Sequence, residues 1–160
     1  MASIESMDDA ATDERTYRLL LFEVAGRLCA CDLTTVREII AMRPATRLPG
    51  APAWIRGLIN LRGTLLTVVD LPERFGGGAR DGGSIIVAEA AGKTFGIGVD
   101  AVREVQALTG EALEPVETER SVCGIVTRLA HLGAKRAETA LVCDVESIAR
   151  QALVIQEYPV

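Results

Sequence analysis

Residues 23–40, EVAGRLCACDLTTVREII, align with residues 89–106, EAAGKTFGIGVDAVREVQ, at a constant shift of 66. Ala25-Gly26-Arg27 meets Ala91-Gly92-Lys93, and Val36-Arg37-Glu38-Ile39 meets Val102-Arg103-Glu104-Val105. The match continues more loosely: GLIN from Gly57 parallels GIVT from Gly124, and VVDLPE from Val68 parallels VCDVES from Val142. A repeat of this length describes one small folding unit used twice, and it leaves room for little else in 160 residues. The expected division is a first subdomain at about 16–75, a connector at 76–83 and a second subdomain at about 84–152, with an acidic disordered tail at 1–15 and a short tail at 153–160.

Each copy opens with two β-rich runs, YRLLLFEV then RLCACD, and SIIVAEA then KTFGIGV. The runs are joined at Ala-Gly, where glycine takes positive φ without steric cost. Leu33, Val36 and Ile39 then recur at roughly helical spacing, as do Val99, Val102 and Val105, so a short helix is expected there, the first one capped by Asp32. Two further runs follow in each copy, GLINLRG with TLLTVVDL and SVCGIVTRLA with TALVCDV, and each copy closes on a short helical stretch, PERF or ESIARQA. In the last of these Val145, Ile148, Ala149 and Ala152 form one apolar stripe. Many short strands with hairpin turns predict a mainly β fold of two small barrels rather than a parallel sheet.

Several functional classes find no support. Seventeen Lys and Arg against 22 Asp and Glu give a net charge of -5, the wrong sign for nucleic acid or an anionic membrane surface. No run reaches the roughly 18 apolar residues of a membrane span, and the polar, acidic start lacks the pattern of a secretory signal. Cys29, Cys31, Cys123 and Cys143 lie in apolar runs without zinc spacing, and read as reduced core residues. His131 is the single histidine, in an expected loop, so a His-based triad or metal cluster has one possible member at most. Asp70 and Asp144 follow strand ends in both copies and read as helix caps rather than paired acid–base groups. The glycines of GGGARDGG precede no helix pattern and no Lys-Ser/Thr pair, and read as a connector rather than a phosphate loop. The expectation is a cytoplasmic protein that is no enzyme and holds no cofactor and no metal.

Duplication supplies an internal control, since what folding requires should occur in both copies. Arg62-Gly63 occurs once: the first copy has NLRG where the second has the longer TRLAHLGAK. The segment LPGAPAWIRG, with two prolines and the single Trp, is also confined to the first copy. An arginine at a hairpin tip in an apolar, proline-rich frame reads as a docking feature, because a surface pair with Glu38 would add little to stability.

These residues carry a resemblance. LPGAPAWIRGLINLRGTLLTVVDL, together with VREII after the second run and the repeated plan, resembles the CheW family of bacterial chemotaxis coupling proteins over residues 16 to about 152. The resemblance implies two intertwined five-stranded SH3-like β-barrels sharing an apolar core. It further implies an adaptor that joins the cytoplasmic hairpin tip of methyl-accepting chemoreceptors to the regulatory domain of a CheA-type histidine kinase, in arrays at the inner face of the membrane. On that basis Arg62 and Gly63 are expected at a protein-binding corner, with Glu38 orienting the guanidinium and Val36 and Gly57 on the binding surface near the groove between the barrels. The chain is expected to be monomeric alone. A CheW-like module serving a non-flagellar or inhibitory array is the alternative function.

Overall fold

The computed structural model describes residues 14–78, 82–133, 135 and 137–156. Residues 1–13 of the expected N-terminal tail, 79–81 of the connector and 157–160 of the expected C-terminal tail lie outside the described residues, whereas 153–156, expected in that tail, continue the last helix. The strands are β1 (Thr16–Val24), β2 (Arg27–Asp32), β3 (Val36–Ala41), β4 (Ile55–Leu61), β5 (Thr64–Asp70), β6 (Ser84–Ala90), β7 (Lys93–Val99), β8 (Ala101–Thr109), β9 (Leu113–Pro115), β10 (Val126–Leu132) and β11 (Glu138–Cys143). Helix α1 (Leu71–Arg74) follows β5, and α2 (Val145–Gln156) follows β11. The fold is mainly β, as the alternating runs and hairpin corners predict.

Both Ala-Gly corners are two-residue turns with positive φ at each position: 51° and 78° at Ala25-Gly26, 53° and 74° at Ala91-Gly92. That geometry matches the right-handed strand twist and closes each hairpin tightly. The hairpins do not stay with their own repeat. One sheet runs β8-β1-β2-β11-β10-β9 and the other β3-β6-β7-β5-β4. The β1–β2 hairpin thus joins strands of the second repeat, and the β6–β7 hairpin joins strands of the first. The exchange is sealed by two parallel pairings, β2 with β11 and β7 with β5. The divisions at 16–75 and 84–152 mark the repeats along the chain, whereas each sheet draws on both.

This exchange explains why the hairpin strands are apolar on both faces. Along β1, Leu19 and Leu21 face a small core inside the six-stranded sheet, while Leu20, Phe22 and Val24 face a larger core shared between the sheets. The counterpart β6 does the same, with Ile85 and Val87 inside the five-stranded sheet and Ile86 and Ala88 in the shared core. Val145, Ile148, Ala149 and Ala152 of α2 are all buried in the shared core, as the stripe predicts. Asp70 caps α1 by accepting from Glu73 N at 3.2 Å, and Asp144 accepts from Glu146 N at 3.2 Å at the start of α2.

Three expectations are corrected. The helices expected after β2 and β7 are absent: Asp32 caps only the single 3₁₀ turn Leu33–Thr35, accepting from Thr34 N at 2.9 Å, and Val36 and Val102 lie in strands. The three-residue spacing comes from a β-bulge in each copy. Val36 pairs with Ala88 and Ile39 with Ile86, with a register shift between Val36 and Glu38; Val102 pairs with Phe22 and Val105 with Leu20 across the equivalent shift. One inserted residue lets positions i and i+3 share a face without any helix. Second, the repeats align differently near their ends. Ile55–Leu61 corresponds to Val126–Leu132 in pairing and place, so GLIN and GIVT are not equivalents, whereas the VVD and VCD segments are. Third, β9 adds a sixth strand to one sheet, and His131 lies in β10 rather than in a loop. None of the described helices is long and apolar enough to cross a membrane.

Candidate functional site

The β4–β5 hairpin ends in the same two-residue turn as the Ala-Gly corners, with φ 51° at Arg62 and 88° at Gly63. Gly63 N donates to Asn60 Oδ1 at 2.8 Å, which ties the turn to its own strand. The first position of such a turn is strained for any residue but Gly, Asn or Asp. A long cation placed there is therefore not selected by local backbone preference.

The bulge in β3 turns Glu38 toward this tip. Arg62 Nη2 pairs with Glu38 Oε2, joining the first strand of the five-stranded sheet to the hairpin that forms its far edge. Arg62 remains 69% exposed and Glu38 34%. The hydrogen bond that Arg62 donates to Glu38, and then the Glu38 charge, push the guanidinium pKa further above its ordinary value, so Arg62 is a fixed cation. The two edges also meet through Thr46, which exchanges two 2.8 Å backbone hydrogen bonds with Leu58, and through Arg43 Nη1 donating to Asn60 O at 3.3 Å. Beside the corner Arg37 Nε pairs with Glu89 at 3.0 Å, and that contact lowers the Glu89 pKa.

The structure therefore brings Glu38, Arg62 and Gly63 together. Val36 lies on the opposite face of the bulge, half-buried against the shared core. Gly57 is buried on β4, with φ 135° and the backbone of Thr46 passing directly over it. Two neighbours of the tip escaped the sequence reading: Arg43, which clamps Asn60, and Leu65, an exposed leucine two residues beyond the turn.

The remaining candidate groups have structural duties. Cys29, Cys31 and Cys143 are buried in the shared core. Burial pushes the Cys31 thiol up to about 12. Hydrogen bonding with Cys29 and then burial hold Cys143 well above the ordinary thiol range. Cys123 is half-buried with φ 55°, and its thiol donates to Arg74 O at 3.2 Å. Among the described residues no group of three or more His, Cys, Asp or Glu side chains is arranged to hold a metal ion. Asp70 also accepts from Arg56 Nη1 at 3.2 Å, and Asp144 from Ser147 Oγ at 2.7 Å, so each capping carboxylate is held by its own network.

A polar clasp crosses between the repeats. Arg74 Nε and Nη2 donate to Gln151 Oε1 at 3.3 and 3.0 Å, Gln151 Nε2 donates to Cys123 O at 2.9 Å, and the Cys123 thiol returns to Arg74 O. The Arg74 guanidinium lies 5.0 Å from the centre of the Trp54 ring, which brings the proline-rich segment into the same contact.

Comparison with known proteins agrees with this architecture. The family model described as CheW-like domain matches residues 18–153. A "Probable chemotaxis protein CheW" of Rhizobium etli is 37% identical over 100 residues, covering 61% of this chain and 64% of the relative. A "Chemotaxis protein CheW" of Klebsiella aerogenes is 28% identical over 151 residues, covering 92% of this chain and 90% of the relative. The crystal structure of the scaffolding protein TtCheW from Thermoanaerobacter tengcongensis superposes with a TM-score of 0.72 at 30% identity, over 81% of this chain and 90% of that one. With a family match across almost all of the described fold, the chain belongs to the CheW-like domain family.

Proposed function

We propose that this protein is a scaffold that couples methyl-accepting chemoreceptors to a CheA-type histidine kinase, working beside receptor arrays at the inner face of the membrane and catalysing no reaction itself. The observation that carries the proposal is the Arg62–Glu38 corner, set within a chain of this family. It is charged, its turn is tied by Gly63 N donating to Asn60 Oδ1, and it is far too exposed to be explained by folding. Its Arg-Gly sequence occurs in one repeat only, while the second repeat joins the equivalent strands by a looser Arg103–Glu138 pair at 3.7 Å. An exposed guanidinium already oriented by a carboxylate keeps several N–H donors for a partner and gives up little freedom on binding. Val36 borders the corner from the opposite face of β3, half-buried against the shared core, and Gly57 supports the hairpin from beneath by letting the chain at Thr46 cross.

The proposal is tested by titrating the protein against the regulatory domain of a CheA-type kinase and against a receptor cytoplasmic hairpin, with each binding event followed calorimetrically. Coupling requires that both bind and that the three assemble together, while the scaffold alone sediments as a monomer. Binding to neither partner would leave the chain with the fold of its family and another client.

A further inference from the structure

Leu65 is 65% exposed, more than any other large apolar side chain among the described residues. A single exposed leucine is ordinary on a protein surface. What sets Leu65 apart is its counterpart. Val68-Val69-Asp70 corresponds to Val142-Cys143-Asp144, so three residues earlier Leu65 corresponds to Thr139. The pairings agree: Leu65 lies opposite Asn60 on β4, and Thr139 opposite His131 on β10. Thr139 is exposed as well. The same place in the same hairpin thus accepts a polar residue, and folding does not call for a leucine there.

The surroundings of Leu65 are also unusual for a stray apolar residue. Its cross-strand partner Asn60 is held twice, by Gly63 N at 2.8 Å and by Arg43 Nη1 at 3.3 Å. The tip carries the guanidinium groups of Arg62 and Arg43 against the one carboxylate of Glu38, which leaves it positive in a chain of net charge -5. We propose that Leu65 is the apolar anchor of the docking surface whose charged member is Arg62, and that the partner surface it fits is a shallow apolar pocket bordered by carboxylates. This inference rests on the coupling function proposed above. A leucine on a two-residue hairpin loses little freedom when it is buried, which is the usual character of a binding anchor.

The test exchanges the two equivalent residues. Leu65→Thr places at the tip what the second repeat already carries, and Thr139→Leu is the reciprocal control. Full-length variants are titrated against the kinase regulatory domain and the receptor hairpin at low and high salt, alongside Arg62→Ala. Leu65→Thr is expected to weaken binding to at least one partner about tenfold, equally at both salt concentrations, without lowering the melting temperature. Thr139→Leu should bind as the unchanged protein does. Arg62→Ala should flatten the salt dependence, since its contribution is the charged one. Unchanged affinity of Leu65→Thr for both partners, while Arg62→Ala binds weakly, overturns the anchor and leaves the coupling function standing. A salt dependence that Arg62→Ala leaves intact overturns the carboxylate border. If the unchanged protein binds neither partner, the coupling function fails and this inference fails with it.

Discussion

The carbonyl oxygen of Thr46 occupies the space that a side chain at Gly57 would need: a Cβ there would lie 2.2 Å from that oxygen and 2.7 Å from its carbon. The contact is the point at which the chain leaving β3 crosses β4 and pairs with Leu58. Gly57→Ala therefore meets backbone rather than a movable side chain, at a φ of 135° that alanine rarely adopts. It should cost about 3 kcal/mol or more of unfolding free energy in urea titration. Gly63→Ala is the comparison, since Gly63 has φ 88° but nothing within 4 Å of a Cβ. That change should cost only about 1 kcal/mol. Equal losses at the two positions would show that the Thr46 crossing yields, and that backbone strain alone sets the cost.

The buried thiols predict alkaline instability. Burial, and then the nearby Asp32 charge, push the Cys31 thiol from 9.0 up to about 12, and Cys143 is raised in the same sense. A thiol pKa above its unfolded value means that the folded state holds its proton where the unfolded state has lost it. Stability is thus complete below about pH 9 and falls as the pH rises toward 12. A shift of this size at Cys31 corresponds to roughly 4 kcal/mol across that window. Cys31→Ala should lessen the fall in chemical denaturation between pH 9 and 12, leaving the part that Cys143 contributes. At neutral pH a thiol reagent should modify half-buried Cys123 first and the three core thiols only on unfolding. Rapid modification of all four in the folded state would contradict this burial.

Local features of this fold were legible in the sequence wherever one short stretch determines them. The Ala-Gly corners, the Asp70 and Asp144 caps and the α2 stripe each depend on neighbouring residues, and each lies where the pattern puts it. The expected helices at Leu33–Ile39 and Val99–Val105 failed because a β-bulge imitates a helical period. The β-branched Thr34, Thr35, Val36, Ile39 and Ile40 were the contrary signal. The exchange of hairpins between sheets was hidden, since a repeat shows which segments are alike but not which ones pair. Gly57 shows the same limit at one residue: its sequence context does not distinguish a surface position from a buried crossing, and only the path of Thr46 decides it. Leu65 meets Thr139 when the VVD–VCD match is extended three residues back, so the internal control that singles out Arg62 applies to this pair as well.

The clasp between the repeats should couple their stabilities. Arg74→Ala removes two hydrogen bonds to Gln151 and the cation over Trp54. Gln151→Ala removes the hydrogen bonds but leaves the guanidinium on the ring. Each variant should lose about 1–2 kcal/mol in urea unfolding, and the double variant less than the sum, because the three residues form one circuit. Trp54, the single tryptophan, reports the difference directly. Its emission should shift to the red in Arg74→Ala, where the ring loses its cover, and much less in Gln151→Ala. Full additivity, with no change in Trp54 emission, would mean that the circuit holds nothing in place.

Arg62 and Glu38 separate docking from folding more sharply than any other pair here. The guanidinium is 69% exposed and makes its ion pair at the surface, so Arg62→Ala should leave the melting temperature and circular dichroism spectrum unchanged. Loss of a charged interface anchor, in contrast, should weaken partner binding roughly 30-fold. Glu38→Gln keeps a hydrogen-bond acceptor while removing the charge, and should weaken binding less than Arg62→Ala because the guanidinium stays near its place. Alkaline pH should not weaken binding through this corner, because the hydrogen bond to Glu38 and then its charge raise the Arg62 guanidinium further above its already high ordinary value. A double-mutant cycle closes the question. If Glu38 acts by orienting Arg62, Glu38→Gln should have no further effect on binding once Arg62 is alanine. If the two losses add, each residue meets the partner independently. Unfolding of Arg62→Ala would place the arginine in the structure of the sheet and remove the corner from the docking surface.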